Sequence, residues 1–414
     1  MAQGKGVARI MTYVFTAQAY GCGPASKAVA IAEAIRSRSS DSKLIFVGLG
    51  IALDYATTNR SVFDIVLDVN ELDASKYSPF MVISVMEPDI LATLSHMAYR
   101  SVYVDSLYTF WDWNASSLLQ ARQLLEDAMW RGKINWDLVQ QRLKVLHPHA
   151  KQFVGHALCG QSYLQHFSAV PVPSFPEHRV SLVGPILSLG NTARLRTFDN
   201  VLISLCGLDG PGISECAVVD YGQLVIQAIW PSVLHSLSLG LNVHICTRIP
   251  FDYLKNSALK LSHPGLSYGF LAHADYMKRL VRSAVLLAPA SLTSVLEAVA
   301  VGVPVVYLPE QNTSHWPNRE QLSVFGFDGW SVIRNRPELY VMDEHGMNAL
   351  HGIIHDMLSD KECVGRMQKY YDVAMAQYVF ASQPHSHRFV DPSQRSDGAK
   401  MIVDDLLVSQ GKFA

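Results

Sequence analysis

Short, almost wholly apolar runs recur along the chain, separated by segments whose apolar residues return at helical spacing. Ala8–Thr16, Lys43–Gly48, Phe63–Val69, Phe80–Met86 and Arg100–Asp105 form one series. Asn200–Leu205, Leu241–Cys246, Val285–Ala288 and Val305–Leu308 form a second. Such runs lack the alternating polar face of a half-exposed strand, so they predict strands covered on both sides in parallel sheets. Between them, Val29, Ile31, Ala32 and Ile35 predict a helix ending near Arg38. Leu118–Leu146, Leu224–Leu239, Asp360–Tyr378 and Ala399–Ser409 also read as helical, Gln152–Leu158 as a strand and Ser162–Phe167 as a short helix. Alternating strands and helices define the α/β class, and the restart near residue 200 predicts two doubly wound, Rossmann-like domains. The proline-rich stretch Val170–Pro176 and the following Val183, Gly184 and Pro185 place the linker within 170–190. The expected division is 1–182, 183–390 and a closing helix in 391–414.

One unit stands out. After the strand Val285–Ala288 come Pro289 and the hydroxyls Ser291, Thr293 and Ser294, any of which suits a helix cap. Val295, Leu296, Val299 and Ala300 give that helix its sheet-facing side, Gly302 closes it and Pro304 opens the next strand. A helix starting at the carboxyl end of a parallel strand aims unpaired N–H groups and partial positive charge outward, which suits a phosphate or diphosphate. Glu297 lies one turn on, where a carboxylate suits paired ribose hydroxyls; a capped core helix with Glu297 completing a capping box is the plain alternative.

Earlier in the chain, Gly21 and Gly23 permit a tight turn and close backbone approach, and Pro24 suits a first helical turn. Gly207, Gly210 and Gly212 repeat a strand-to-glycine loop in the second half. Arg248 ends a strand. Tyr108, Phe110, Trp111 and Trp113, with Asp112 and Asn114 among them, suit either a core or a flat acceptor pocket. Asp105 at a strand end is the first candidate general base, ahead of Glu87, Asp89, His96 and Asp112.

Composition narrows the partners. A chain of 414 residues favours two domains over one, and a formal net charge of −2 with both signs interspersed gives no electrostatic case for nucleic acid or membrane partners. Cys22, Cys159, Cys206, Cys216, Cys246 and Cys363 show no paired spacing, which argues against zinc and disulfides and fits a cytoplasmic location. His147 with His149 and His385 with His387 read as loop residues, so no metal is expected. No apolar segment approaches membrane-spanning length.

The order of small residue, Ser291, Thr293, Glu297, Ala298, Gly302, Pro304 and Pro309, followed by a loop with Gln311, His315 and Asn318, resembles the donor-nucleotide signature of GT-B glycosyltransferases. It is closest to the branch of the lipid II-forming N-acetylglucosaminyltransferase and the macrolide glycosyltransferases. The resemblance implies two domains facing across a cleft, an acceptor against the first and a nucleotide sugar, UDP-linked, in the second. It implies diphosphate contacts from Ser291, Thr293 or Ser294 and the loop at Gly207, ribose contacts from Glu297, and donor-sugar contacts from Gln311 or His315. Gly21, Gly23, Trp111 and Asp112 would lie on the acceptor side. Inverting transfer to a small-molecule or lipid-linked acceptor follows, with no cofactor beyond the nucleotide sugar itself as substrate. Two departures stand out: Pro289, Ala290 and Ser291 replace the usual Arg-x-Gly or His-x-Gly, and Pro24 stands where many relatives place a histidine base. A nucleotide-sugar epimerase and a catalytically silent nucleotide- or partner-binding relative are the alternatives.

Overall fold

The computed structural model describes residues 11–77, 80–109, 111, 115–166, 179–189, 198–205, 213–249, 263–323, 329–334, 336, 339, 344–380 and 397–410. The chain divides into two compact units, Met1–Ser188 with Ser396–Ala414, and Leu189–Arg395. Both are doubly wound α/β units with wholly parallel main sheets, so the expected fold class holds. The stretch Val170–Pro176, the Gly207 loop and Asp112 lie outside the described residues.

The first unit opens with β1 (Thr12–Ala17), α1 (Gly23–Arg38), β2 (Lys43–Gly48), α2 (Gly50–Thr58), β3 (Ile65–Asp68), β4 (Phe80–Val85), α3 (Pro88–Ser95) and β5 (Arg100–Asp105). α4 (Ala115–Ala128), β6 (Met129–Trp130), β7 (Lys133–Ile134), α5 (Trp136–Leu143), α6 (Pro148–Ala157), β8 (Gln161–Gln165) and β9 (Arg179–Val183) follow. The sheet order is β3-β2-β1-β4-β5-β8-β9, so strand direction of travel reverses between β1 and β4. Every residue of β4 is buried, as a strand covered by helices on both faces requires.

Two expectations are corrected here. Leu118–Leu146 is not one helix: Arg131 and Gly132, both at positive φ (50° and 75°), turn a two-stranded hairpin between α4 and α5. Residues 148–165 hold a helix and then a strand, the reverse of the pattern read from sequence. Pro148 fits a first helical turn, and His147 accepts from the His149 N–H to cap it. Ser162–Leu164 then pair with β5, which extends the sheet.

The second unit contains β10 (Asn200–Ser204), α7 (Glu215–Ser238), β11 (Asn242–Cys246), β12 (Leu266–Tyr268), α8 (His273–Val281), β13 (Ser283–Ala288), α9 (Leu292–Val301), β14 (Val305–Tyr307), α10 (His315–Leu322), α11 (Glu344–Ser359) and α12 (Lys361–Met375). Its sheet runs β12-β11-β10-β13-β14, with the reversal between β10 and β13. α7, α11 and α12 pack together around Tyr221, Leu224, Leu350, Met367 and Tyr371.

A last helix, α13 (Gly398–Gln410), belongs to the first unit. Ala399, Ile402, Val403 and Leu406 share one core with Ala25, Ala28 and Ile35 of α1. Arg38 meets Asp404 at 2.7 Å, while Asp405 accepts from Tyr163 and Arg179. A Cβ at Gly398 would lie 2.1 Å from the Gly184 carbonyl oxygen, so the helix seats here only because that side chain is absent.

Candidate functional site

In the second unit, β13 delivers the chain to Ala288, and Ser291 at extended dihedrals starts α9. The helix begins at Leu292, so Ser294 is inside it and the Ser294–Glu297 capping box does not form. The Ser291 side chain makes no capping hydrogen bond either, and Ser291, Thr293 and Ser294 are all partly exposed. The partial positive charge of this helix end, which the Ser291 side chain does not cap, suits an anion. Gly302 (φ 75°) closes the other end, with the Val303 N–H on the Ala298 carbonyl at 2.8 Å.

Glu297 is almost fully buried on this helix. Its Oε1 lies 2.8 Å from Nε2 of His273, the first residue of α8, and Oε2 has no hydrogen-bond partner among the described residues. One oxygen is thus anchored and the other free for a ligand. His273 as the anchor was not legible in the sequence: the two residues are 24 apart and meet only because both helices start at the same sheet end.

The neighbouring strand supplies the second loop. β13 and β14 pair, the Leu308 N–H reaches the Ala288 carbonyl, and the loop from Pro309 therefore leaves beside the start of α9. Glu310 is buried and fully engaged, accepting from Ser331 Oγ at 2.6 Å and the Val332 N–H at 2.7 Å. His315 is also buried. Its Nδ1 accepts from the Gln311 N–H and its Nε2 meets Asn312, while burial pushes its pKa down to about 3. A neutral imidazole with both nitrogens engaged inside its own loop braces that loop, which corrects the expectation that His315 holds a donor sugar. Gln311 differs: its amide nitrogen and oxygen are both buried with no hydrogen-bond partner. Its amide reaches the Tyr221 phenol closely enough to favour that oxygen's ionised form, although not at hydrogen-bond geometry, and the hydroxyl itself donates to the Pro309 carbonyl at 2.8 Å. Arg248 stacks its guanidinium over the Phe270 ring at 4.5 Å.

In the first unit, Gly21 (φ 62°) turns the chain after β1, and Gly23 and Pro24 form the first turn of α1. The base assigned to Asp105 is corrected. Asp105 has no exposed surface; Oδ1 accepts from the Leu107 N–H at 2.8 Å, and Oδ2 meets Trp111 Nε1 and His156 Nε2, each at 2.9 Å. His156 in turn reaches Ser162 Oγ at 2.9 Å. Three interior partners hold this carboxylate and fix the turn after β5, and with no exposed surface it is out of reach of an acceptor hydroxyl. Trp111 is likewise core, edge-on to His149 at 5.5 Å, and not an acceptor platform. Of the other candidate bases, Asp89 pairs with Lys151 at 3.1 Å and His96 is exposed at the end of α3. Glu87 caps α3 at the carboxyl end of β4, and burial beside Asp89 raises its pKa to about 7.

Among the described residues no cluster of side chains with metal-ligand character occurs, and no helix is long and apolar enough to cross a membrane. No family model and no curated protein sequence matches the chain. Solved structures do. The spinosyn forosaminyltransferase SpnP is 15% identical, with 87% of this chain and 99% of that one covered and a TM-score of 0.46. The glycotransferase of kitacinnamycin is 12% identical over 96% and 98%, at 0.48. Phytolacca americana UGT2, complexed with UDP-2fluoro-glucose and pterostilbene, is 12% identical over 97% and 99%, also at 0.48.

Proposed function

We propose that the chain is a GT-B glycosyltransferase that moves a sugar from a UDP-linked donor to a small-molecule or lipid-linked acceptor, with inversion and without a metal. The observation that carries this reading is the amino end of α9. It is a helix start with no side-chain cap from Ser291, at the carboxyl end of an interior parallel strand, and Glu297 stands one turn in with one oxygen anchored on His273. The diphosphate takes the first-turn N–H groups and the hydroxyls of Ser291, Thr293 or Ser294. The ribose hydroxyls donate to Glu297. As the sugar–phosphate bond breaks, the negative charge growing on the leaving diphosphate falls where the helix end stabilises it. Gln311, with its unmet amide, is the donor-sugar residue, and the acceptor binds the first unit.

The test is calorimetric titration with UDP, alongside UDP release from a panel of UDP-sugars. Wild-type protein is expected to bind UDP, and Glu297→Gln to weaken binding by about 1–3 kcal/mol, the scale of hydrogen bonds to a charged group, with its unfolding curve little changed. Equal UDP affinity in the variant removes Glu297 from the site. Binding without release of UDP from any donor makes the chain a silent nucleotide-binding relative instead.

A further inference from the structure

The histidine that many GT-B relatives place after their first strand is Pro24 in this chain, and Asp105 is fully buried among three interior partners. The sheet topology points elsewhere. Strand order reverses between β1 and β4, and in open parallel sheets ligands settle outside the carboxyl ends of the strands at such a reversal. The loops that leave these two strands hold Gln18, Tyr20 and Gly21 on one side and Met86 and Glu87 on the other.

Four features of this place are unusual together. Thr16 Oγ1 and Gln18 Oε1 are buried without hydrogen-bond partners at the carboxyl end of β1, beside β4. Met86 holds a left-handed backbone (φ 57°), a strained state for a residue with a side chain. That strain is fixed from three sides: the Met86 N–H donates to the Val104 carbonyl, Gln152 Nε2 to the Met86 carbonyl, and Ser106 Oγ to its sulfur. The bend it makes sets Glu87, whose Oε1 accepts from the N–H groups of Asp89 and Ile90 while Oε2 has no partner among the described residues. Finally, Tyr20 and Leu49 stand exposed on the loops after β1 and β2, a pair of apolar side chains at the same sheet end.

We infer that Glu87 is the general base of the transfer, acting on a hydroxyl of an acceptor whose apolar body lies against Tyr20 and Leu49. This rests on the glycosyltransferase reading above. Oε2 takes the acceptor proton as the acceptor oxygen bonds to the anomeric carbon. The bond from that carbon to the β-phosphate oxygen breaks, its electron pair leaves with UDP, and Glu87 later returns the proton to water. The groups facing Glu87 are Asp89 on its own helix, Lys151 on α6 and the Tyr103 phenol on β5. Burial and Asp89 raise the carboxyl to about 7, with Lys151 and the two N–H groups opposing. A base poised near neutrality combines a useful ionised fraction with real basicity.

The experiment follows UDP release from UDP-glucose against pH, with water or a phenol as acceptor, in wild type, Glu87→Gln and Glu87→Asp. The amide variant keeps a carbonyl oxygen to cap α3, so its fold is expected to persist. In wild type the rate should climb through pH about 7 and then level. Glu87→Gln should lower kcat by roughly 100- to 10,000-fold and abolish the rising limb. UDP affinity measured by calorimetry should stay within about twofold, because the nucleotide site is on the other unit, and Glu87→Asp should recover part of kcat. A Gln variant that retains the rising limb and near-normal kcat overturns the assignment, whereas loss of UDP binding in the wild type would strike the glycosyltransferase reading instead. Independently of turnover, a hydrophobic carbodiimide that reacts with protonated carboxyls should label Glu87 at pH 6 and not at pH 8, and labelling that has already ceased at pH 6 overturns it as well.

Discussion

Two buried carboxylates, each near the carboxyl end of a central parallel strand, behave in opposite ways. Asp105 in the first unit is surrounded by donors: a backbone N–H, an indole and an imidazole, with Ser162 behind the imidazole. Glu297 in the second unit is anchored at one oxygen by His273 and open at the other. Both are buried, and the difference between them is the unfilled oxygen, which is what the proposed binding role of Glu297 uses. The same contrast recurs within one loop, where Glu310 and His315 are fully engaged and Gln311 has an amide with no partner.

The contrast breaks hardest at Asp105. Asp105→Asn places amide hydrogens against the donors of Trp111 and His156, and taking one partner from a buried, hydrogen-bonded pair typically costs about 3–5 kcal/mol. Urea unfolding should register a loss of that order in the first unit. A variant of wild-type stability that has lost turnover would restore Asp105 to the chemistry.

Next in size is the acid response of the loop held by His315. Its folded pKa, about 3, lies below the ordinary 6.5, so the unfolded chain binds the proton more readily between these values. Its contribution is therefore full above pH 6.5 and is lost as pH falls toward 3. By pH 4 the loss is roughly 3 kcal/mol, at 1.36 kcal/mol per pH unit. Unfolding free energies measured at several pH values should show this slope in wild type and a shallower one in His315→Asn. Equal slopes would mean that His315 titrates normally.

The smallest effect sharpens the comparison most. Gln311→Leu removes two unmet buried polar atoms, so the ligand-free protein should gain on the order of 1 kcal/mol in thermal unfolding. UDP affinity should hold while UDP-glucose affinity drops. If both ligands bind as before, the amide has no part in holding the sugar.

Much of the fold was legible because strands buried on both faces write themselves as unbroken apolar runs: Lys43–Gly48 and Arg100–Asp105 are strands with those same ends. The amino end of α9 was legible for a related reason, since hydroxyl residues directly after such a run have few other uses than a helix start. Residues 148–165 misled because Phe153 and Val154 look like strand residues when the capping at His147 and Pro148 is given too little weight. The role of Asp105 was illegible in principle. A carboxylate at a strand end looks the same whether or not donors fill it, and His156 arrives from 51 residues downstream. For Trp111 the core alternative holds, because its indole N–H finds Asp105 in the interior.

The seating of α13 against α1 makes the first unit discontinuous along the chain. A ribosome delivers residues 11–188 long before residues 398–410, and through that interval the core around α1 lacks Ala399, Ile402, Val403 and Leu406. Completion of this half waits for residues 398–410, which follow the whole of the other unit along the chain. Maturation of the nascent protein thus has a built-in order, and cutting the chain ahead of Gly398 injures the part made first.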